Sequence, residues 1–328
     1  MNTQADVSGS PVRYSERVNR RIRQDGIDTL GISTQTLFED AVRKDEKEVA
    51  VDLLDYFWTE MFIMAEALFT WLGDIFAYRS QRWGVADNAE NVAGLLRGLR
   101  GFDPSSGDRS RAKAAVREGN RDEAIAACEL MRVRYASLKD GLVVWIQELL
   151  SDLSTEFGED AVLESVEAAY ENLWKHRYAP WEEMTPIERV QLSVEGIRGH
   201  LSGKRRRGDL TIVDEGDRYA LVLDPCGTCG VLRRGDPDSG RPPSNPRGSR
   251  TGHPWTWNRV GLSWYTVHNP IVLEYLQMSR GRPPIRPLED CDQDKPCRWI
   301  VYKDFRAARA DHYTRMGFDP PEEARAAS

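Results

Sequence analysis

Four cysteines and one histidine in the last third of the chain carry the side chains that borderline-soft metal ions prefer. Cys226 and Cys229 form a Cys-x-x-Cys motif, in which one tight turn brings two thiolates to the same ion. His268 lies between this motif and a second pair, Cys291 and Cys297. Thiolates and a neutral imidazole are ligands that zinc takes, so the sequence predicts a zinc site, and iron fits the pattern less well.

These five candidates exceed the four positions of a tetrahedral ion and leave two ligand sets open. Four cysteines would make a closed structural site and leave His268 for other work. Cys226, His268 and Cys297 would make an open catalytic centre with one position for water or substrate. The alternative without metal is that the cysteines are unligated and pack in the core of a small domain.

Several other side chains near these ligands have types suited to catalysis or substrate binding. Glu274 follows His268 in a predicted helix and could act as a general base, and His253 could orient a substrate. Asp224, beside the Cys-x-x-Cys turn, could hydrogen-bond a ligand. The ordinary alternatives are a solvent-facing carboxylate for Glu274 and a packed surface histidine for His253. The aromatic residues expected to line a substrate pocket are Trp255, Trp257, Trp264 and Tyr265.

Composition places the chain among soluble globular proteins. Of its 328 residues, 40% are hydrophobic and 30% are charged, which is enough apolar material for one large or two ordinary domains. The formal net charge of -7 gives no reason to expect nucleic acid as a partner. We expect a small-molecule substrate or ligand instead, and a homodimer is compatible with the composition.

The most apolar stretch and the cysteine count bear on location. Residues 56–76 are apolar but interrupted by Glu60, Glu66 and Asp74, which favours a buried helix over a membrane span. The polar start of the chain does not look like a signal peptide. An odd number of cysteines without a secretory signal favours metal binding over disulfides in a reducing compartment. We therefore expect a cytoplasmic protein without a membrane partner.

The spacing of apolar residues predicts helices first and strands later, an α+β fold. Residues 1–30 read as a disordered lead-in, 31–205 as a helical domain, and 206–328 as a smaller α+β domain that binds the metal. Thr185 and Glu188 form a capping box that begins a helix, and the basic run 204–207 that follows it reads as a solvated surface. Residues 210–213 and 219–223 read as a hairpin, and 298–302 as a final strand.

Two segments of the helical domain are alike. The runs 71–75 and 145–149 share an initial tryptophan and similar apolar positions, and each is followed at the same distance by an aromatic-glycine pair. These pairs are Trp83-Gly84 and Phe157-Gly158, and glycine after an aromatic residue is a common helix end. The pattern favours tandem helical hairpins, and chance similarity is the alternative.

Residues 265–303 resemble the C-terminal part of vinyl-reductase-type domains and of thiazoline-carboxylate hydrolase-like proteins. The resemblance depends on the order of His268, a short helix, Glu289 and Cys291, and then Cys297 entering a strand. His268 stands where that family tends to have cysteine. The resemblance implies a small α+β domain that binds zinc and presents a pocket for small, often aromatic, molecules.

Taken together, these patterns predict a zinc-dependent enzyme of the hydrolase or lyase type that acts on a small aromatic or heterocyclic molecule. Zinc would lower the pKa of a bound water or polarise a carbonyl. The alternative, from another class, is a small-molecule-binding sensor or scaffold with a structural zinc. Four bound cysteines would favour the scaffold, whereas three protein ligands and an exchangeable water would favour the enzyme.

Overall fold

A computed structural model describes residues 6–84, 106–236, 239–244, 246–289 and 295–326. The described chain has an α+β fold, in which a helical N-terminal part packs on a smaller C-terminal part built around a three-stranded sheet. The elements of the N-terminal part are β1 (Val12–Ser15), β2 (Arg20–Arg23), α1 (Ile27–Leu30), α2 (Thr34–Arg43), α3 (Lys47–Trp83), α4 (Ser106–Glu118), α5 (Arg121–Phe157), α6 (Asp160–Leu173), α7 (Lys175–Tyr178) and α8 (Pro186–Gly199).

The C-terminal part alternates short strands with short helices. Three 3-10 turns also occur there, at Lys204–Arg206, Pro254–Thr256 and Phe305–Ala307. The regular elements are β3 (Thr211–Asp214), β4 (Arg218–Leu223), α9 (Cys229–Arg234), α10 (His268–Pro270), a π-helical turn (Ile271–Tyr275), α11 (Leu276–Ser279), β5 (Cys297–Tyr302), α12 (Ala310–Arg315) and α13 (Glu322–Ala326).

Two pairs of a short and a long helix form the N-terminal part. Helices α2 and α4 each precede a long helix, and the long helices α3 and α5 both contain 37 residues. They run parallel, because the N-terminal halves share one buried cluster and the C-terminal halves share another. Both end where the sequence predicts, at the aromatic residue before Gly84 or Gly158. That the two pairs derive from a repeat stays a prediction.

The described part of the lead-in is ordered, where the sequence predicts disorder. Strands β1 and β2 form an antiparallel hairpin in which Val12 faces Arg23. Arginine side chains of this hairpin form ion pairs with the helices: Arg21 donates to Asp52 at 2.6 Å, and Arg20 pairs with Glu195. A polar sequence of this kind gives no local strand signal, because its partners lie elsewhere in the chain.

The C-terminal sheet has the order β3-β4-β5, with both neighbouring pairs antiparallel. The predicted hairpin and final strand are thereby confirmed, and so is the helix that begins with the capping box of Thr185 and Glu188. Buried residues of this sheet belong to the same apolar cluster as the C-terminal halves of α3 and α5. A continuous core therefore joins the two parts.

Helix α3 is the one described helix that is long and apolar enough to cross a membrane by length and composition. Its most apolar 18-residue window has a mean hydropathy of 1.3, and 33% of that window is buried inside the protein. Core helices of soluble proteins pass the same test, so this property is weak evidence on its own.

Candidate metal centre and adjoining cavity

The register of β4 and β5 brings the cysteines of two distant segments together. Leu223, the last residue of β4, faces Cys297, the first residue of β5. The chain leaves β4 and turns at once into the Cys-x-x-Cys motif, and Cys229 begins α9. Because the end of one antiparallel strand lies beside the start of its neighbour, Cys226 and Cys229 meet Cys297 at this edge of the sheet.

The three sulfur atoms form a compact group. All lie within 4.8 Å of one another, and the Sγ atoms of Cys226 and Cys229 are 3.4 Å apart. Cys226 and Cys229 are buried, and Cys297 is partly exposed. Three convergent thiols at this spacing could bind a metal ion, because a metal-sulfur bond of about 2.3 Å places ligand sulfurs a few ångströms apart.

Each thiol changes the pKa of the others. Hydrogen bonds from Cys229 and Cys297 to the Cys226 sulfur hold the pKa of Cys226 well below its usual value. The same contacts raise the pKa of Cys229 to about 12 and raise that of Cys297 as well. A bound dication would favour the thiolate form of all three cysteines.

Gly227 allows the Cys-x-x-Cys turn to pack against the end of α8. A Cβ atom at this position would lie 2.0 Å from the carbonyl oxygen of His200 and 2.4 Å from that of Leu201. The backbone N–H of Gly227 donates to the hydroxyl oxygen of Ser202 at 3.0 Å. Only glycine fits this approach of backbone to backbone, so the turn has a fixed position relative to α8.

A buried ionic network holds the other side of the turn. Lys139 and Arg206 both donate to the carbonyl oxygen of Gly227, and both pair with Asp140, at 2.8 and 2.7 Å. Arg206 also pairs with Asp236 at 2.7 Å. Burial lowers the pKa of Lys139 to about 8, although Asp140 opposes the shift. The basic run that contains Arg206 is therefore not wholly a solvated surface, because this arginine is buried among carboxylates.

Of the two remaining candidate ligands, Cys291 lies outside the described residues and His268 lies away from the thiol group. His268 Nδ1 is 2.6 Å from the carbonyl oxygen of Tyr265, and its ring packs against those of Trp71 and Trp174. Burial lowers the pKa of His268 to about 4, so the ring is neutral at pH 7. Because a carbonyl oxygen only accepts, Nδ1 carries the proton and Nε2 carries the lone pair.

A cavity of about 350 Å³ lies near the thiol group, and its lining residues His200 and Tyr265 interact electrostatically with Cys226. Side chains from α3, α8, the segment around α7 and the segment 265–273 line it. Small-molecule sites typically have volumes from about 300 Å³ upward and combine apolar walls with a few polar groups. The polar and aromatic residues of the lining include Glu60, Glu66, Trp71, Trp174, Arg177, Tyr178, Ser193, Glu195, His200, Tyr265, His268 and Arg286.

Three residues of the cavity wall, His200, Tyr265 and His268, interact electrostatically with the cysteines. Burial lowers the pKa of His200 to about 3, and the charge of Cys226 acts against this shift. Burial also raises the pKa of Tyr265, and the charges of Cys229 and Cys226 raise it further. His200 and Tyr265 thus line the cavity and lie within electrostatic range of the thiol group.

The sequence-predicted pocket residues are divided between the cavity and the core. Of the four predicted aromatic residues, Tyr265 lines the cavity, whereas Trp255, Trp257 and Trp264 are buried in the apolar core and do not line it. His268, which the sequence predicts as a metal ligand or catalytic residue, also lines the cavity. Asp224 is exposed at the end of β4, next to the Cys-x-x-Cys turn. Asp224, like the three tryptophans, does not line the cavity.

Glu274, Trp257 and His253 make structural contacts away from the cavity. Glu274 is fully buried and accepts hydrogen bonds from Trp257 Nε1 at 3.0 Å and the backbone of Leu288 at 3.2 Å. It also pairs with Arg315. His253 Nε2 lies 2.6 Å from a carboxylate oxygen of Glu159. Glu274 is therefore a buried carboxylate with three partners, which differs from both the general base and the solvent-facing side chain considered above.

Sequence reasoning did not identify several titratable residues of the cavity wall, namely Glu60, Arg177, Glu195, His200 and Arg286. One signal was present: Glu60 interrupts an apolar helical run, and a carboxylate at such a place is either exposed or held by a buried partner. Here Arg198 donates to Glu60 at 2.9 Å, with both side chains buried. No comparable signal marks His200 or Arg286, because their neighbours in space come from distant segments.

Comparisons with known proteins return no match: no family model, no curated protein and no solved structure matches this chain. The resemblance of residues 265–303 to zinc-binding domains therefore stays a prediction.

Proposed function

We propose that this chain is a zinc-dependent enzyme of the hydrolase or lyase type that acts on a small aromatic or heterocyclic molecule. The observation that carries the proposal is the convergence of the sulfurs of Cys226, Cys229 and Cys297 within 4.8 Å. Thiolate ligands select zinc over hard ions such as magnesium or calcium. Zinc bound by three protein ligands keeps one position open and supplies Lewis-acid chemistry there.

The cavity supports the substrate class. The rings of Trp71, Trp174 and Tyr265 line it, and aromatic side chains bury flat ligands well. His268 and His200 are neutral and buried, and a neutral imidazole can accept a proton from a bound molecule. His268 is the better candidate, because its Nδ1 contact with Tyr265 leaves the lone pair on Nε2.

A second candidate function is a ligand-binding sensor or scaffold with a structural zinc. The observation that favours it is that none of the three cysteines of the thiol group lines the cavity. In this version Cys291 completes a closed four-thiolate site, and the ion fixes the wall that His200 and Tyr265 form. Both functions require the same metal and the same cavity, so they differ in the coordination of the ion.

Metal analysis of protein never exposed to chelator tests the zinc site that both functions require. We expect about one zinc per chain, and we expect Cys226→Ser to lose most of it. Cys128→Ser is the matched control, because Cys128 is equally buried but lies in the other apolar cluster, around the N-terminal halves of α3 and α5. Less than about a tenth of an equivalent in the unsubstituted protein would sink both functions.

Cobalt substitution separates the two functions. Cobalt(II) reports its coordination through its visible absorption, and azide binds to an open metal position. The enzyme requires that azide change the spectrum of the cobalt protein, whereas a closed four-thiolate site leaves the spectrum unchanged. Cys291→Ser provides the matched comparison: it should open the site of a scaffold and leave that of an enzyme as it was.

A further inference from the structure

Arg286 is a buried cation without a carboxylate partner among the described residues. Its side chain lines the cavity, and the residue is only 8% exposed. Its contacts are a long hydrogen bond from Nη1 to the carbonyl oxygen of Ser193 at 3.4 Å and the ring of Trp299 at 4.8 Å from Cζ. The Nε atom is buried without a hydrogen-bond partner. A buried guanidinium in this state is costly unless something neutralises it.

The carboxylates of the cavity wall already have other partners. Glu60 pairs with Arg198 at 2.9 Å. Glu195 pairs with Arg20 and accepts a hydrogen bond from the hydroxyl of Tyr56 at 2.9 Å. The remaining described carboxylate of the wall, Glu66, is exposed. The charge of Arg286 is therefore not matched by the protein groups that surround it.

A second cation increases the positive charge beside Arg286. Arg177 also lines the cavity, and its Nη2 donates to the carbonyl oxygen of Leu192 at 2.8 Å. The same atom is 3.6 Å from Glu195, a carboxylate that Arg20 already neutralises. Gly196 leaves room for this arginine, because an added Cβ would lie 2.9 Å from Arg177 Nη2.

Within the described chain, two further groups of the wall that can donate are buried without a hydrogen-bond partner, and one acceptor, Glu60 Oε2, is buried in the same state. The indole Nε1 of Trp71 and the hydroxyl of Ser193 have no hydrogen-bond partner among the described residues, and both residues line the cavity. An indole N–H only donates, and a hydroxyl can donate. Together with Arg286 they make a set of donors that an anionic acceptor would satisfy, beside aromatic rings that would cover an apolar ring.

We propose that the cavity binds an organic anion, a flat aromatic or heteroaromatic ring that carries a carboxylate, and that Arg286 is the residue that pairs with the carboxylate. The inference rests on the proposed function only in taking the cavity as the ligand site, and it does not depend on the metal. Arg177 shares Glu195 with Arg20, whereas Arg286 has no carboxylate within 4.0 Å among the described residues. One such guanidinium balances one negative charge, which fits a carboxylate better than a phosphate dianion. A guanidinium fork also matches the two oxygens of a carboxylate.

The test measures binding of three probes to the full-length, zinc-loaded protein by calorimetry or fluorescence. The probes are 2-naphthoate, the neutral 2-naphthamide and 2-naphthyl phosphate, which share a ring system and differ in charge. We expect 2-naphthoate to bind at least about 10-fold more tightly than either of the other two. Arg286→Met should lower the affinity for 2-naphthoate by about 100-fold, as expected when a buried charged partner is lost. It should change the affinity for 2-naphthamide by less than about 3-fold.

Arg282→Met is the matched control, because it makes the same change four residues away at an exposed position outside the cavity. It should leave all three affinities unchanged. Ligand-free Arg286→Met should also melt at a higher temperature than the unsubstituted protein, because an unpaired buried charge is removed. A structural arginine would give the opposite shift.

Equal affinity for 2-naphthoate and 2-naphthamide would overturn the assignment of an anion and leave the cavity as a site for neutral rings. If 2-naphthyl phosphate binds most tightly, the assignment of a carboxylate as the anionic group is wrong. If no probe binds, the cavity is not the ligand site, and the inference falls whether or not zinc is present. The comparison of probes on the unsubstituted protein decides the matter even if Arg286→Met does not fold.

Discussion

Trp83 and Phe157, the last residues of the two 37-residue helices, stack on each other with ring centroids 3.9 Å apart and planes 15° apart. Each ring is followed by a glycine with positive φ that ends its helix. The two aromatic-glycine pairs that look alike in the sequence thus meet in space. This contact fixes the ends of α3 and α5 side by side, and the C-terminal halves of both helices belong to the core that carries the cavity.

A double-mutant cycle measures this contact. Trp83→Ala and Phe157→Ala should each lower the free energy of unfolding, and the double variant should lose less than the sum by about 0.5–1.5 kcal/mol, the usual coupling of an aromatic pair. Denaturant unfolding provides the values. Val260→Ala, at a position that is 67% exposed, should be neutral within about 0.5 kcal/mol. A coupling of zero would mean that the rings do not interact in solution.

The elements that sequence reasoning predicted correctly have local causes. A capping box begins α8 because Thr185 and Glu188 are three residues apart, and the turn 214–217 joins two strands of alternating pattern. The helix ends at Gly84 and Gly158 likewise depend on adjacent residues. In each case the group that decides the conformation lies within a few residues of its partner, so the sequence contains the whole interaction.

The errors and omissions concern polar residues whose partners are distant in the chain. The hairpin of β1 and β2 looks disordered in sequence because Arg20 and Arg21 are polar, yet they pair with Glu195 and Asp52. Arg206 looks exposed, yet Asp140 and Asp236 bury it. The partners in these ion pairs are 30 to 175 residues apart in the sequence, so no local pattern marks them.

The candidate site divides in the same way. The Cys-x-x-Cys motif is local and was predicted, and the strand register that adds Cys297 follows from the hairpin and the final strand. The cavity wall comes from segments of both parts of the chain, and only Tyr265 and His268 of its members were predicted. The tryptophans of the segment 253–264 looked like a pocket because aromatic residues serve in cores and in pockets alike.

Gly227→Ala should disrupt the metal centre through its backbone. The new Cβ would lie 2.0 Å from the carbonyl oxygen of His200, so the turn must move away from α8. We expect a loss of at least about 2 kcal/mol in the free energy of unfolding, and a reduced zinc content in the purified protein. Thermal or denaturant unfolding measures the loss of stability, and metal analysis measures the zinc content.

Gly141→Ala is the control for the previous substitution. Gly141 lies inside α5, is exposed, and has open space where a Cβ would be added. Alanine there should stabilise the helix by about 0.5–1 kcal/mol and leave the zinc content as it is. If Gly227→Ala behaves like Gly141→Ala, the close packing of the turn on α8 is wrong.

Removal of the metal should loosen the edge of the sheet before the helices. The three thiols connect the turn after β4 to the start of β5, so a bound ion would add a second link to the backbone pairing of these strands. Hydrogen exchange with mass spectrometry should show faster exchange in 218–234 and 297–302 after strong chelation, with little change in α3 and α5. If the exchange rates of these two segments are the same before and after chelation, the ion does not stabilise this edge.

His312 should make the protein less stable as the pH falls. The residue is buried beside Tyr302, whose hydroxyl lies 3.0 Å from Nε2, and burial lowers the pKa of His312 to about 2. Its pKa in the unfolded chain is about 6.5, so below that pH the unfolded state binds a proton that the native state does not. The stability that this histidine contributes is present above about pH 6.5 and decreases progressively as the pH falls towards the native pKa, by at most about 1.4 kcal/mol per pH unit.

Denaturant unfolding between pH 7 and pH 4.5 should show this slope, and His312→Gln, which has no proton to gain, should make it shallower. His312 lines neither the cavity nor the thiol group, so loss of zinc at low pH would affect both proteins equally. Identical slopes in the two proteins would show that His312 is not buried as a neutral ring.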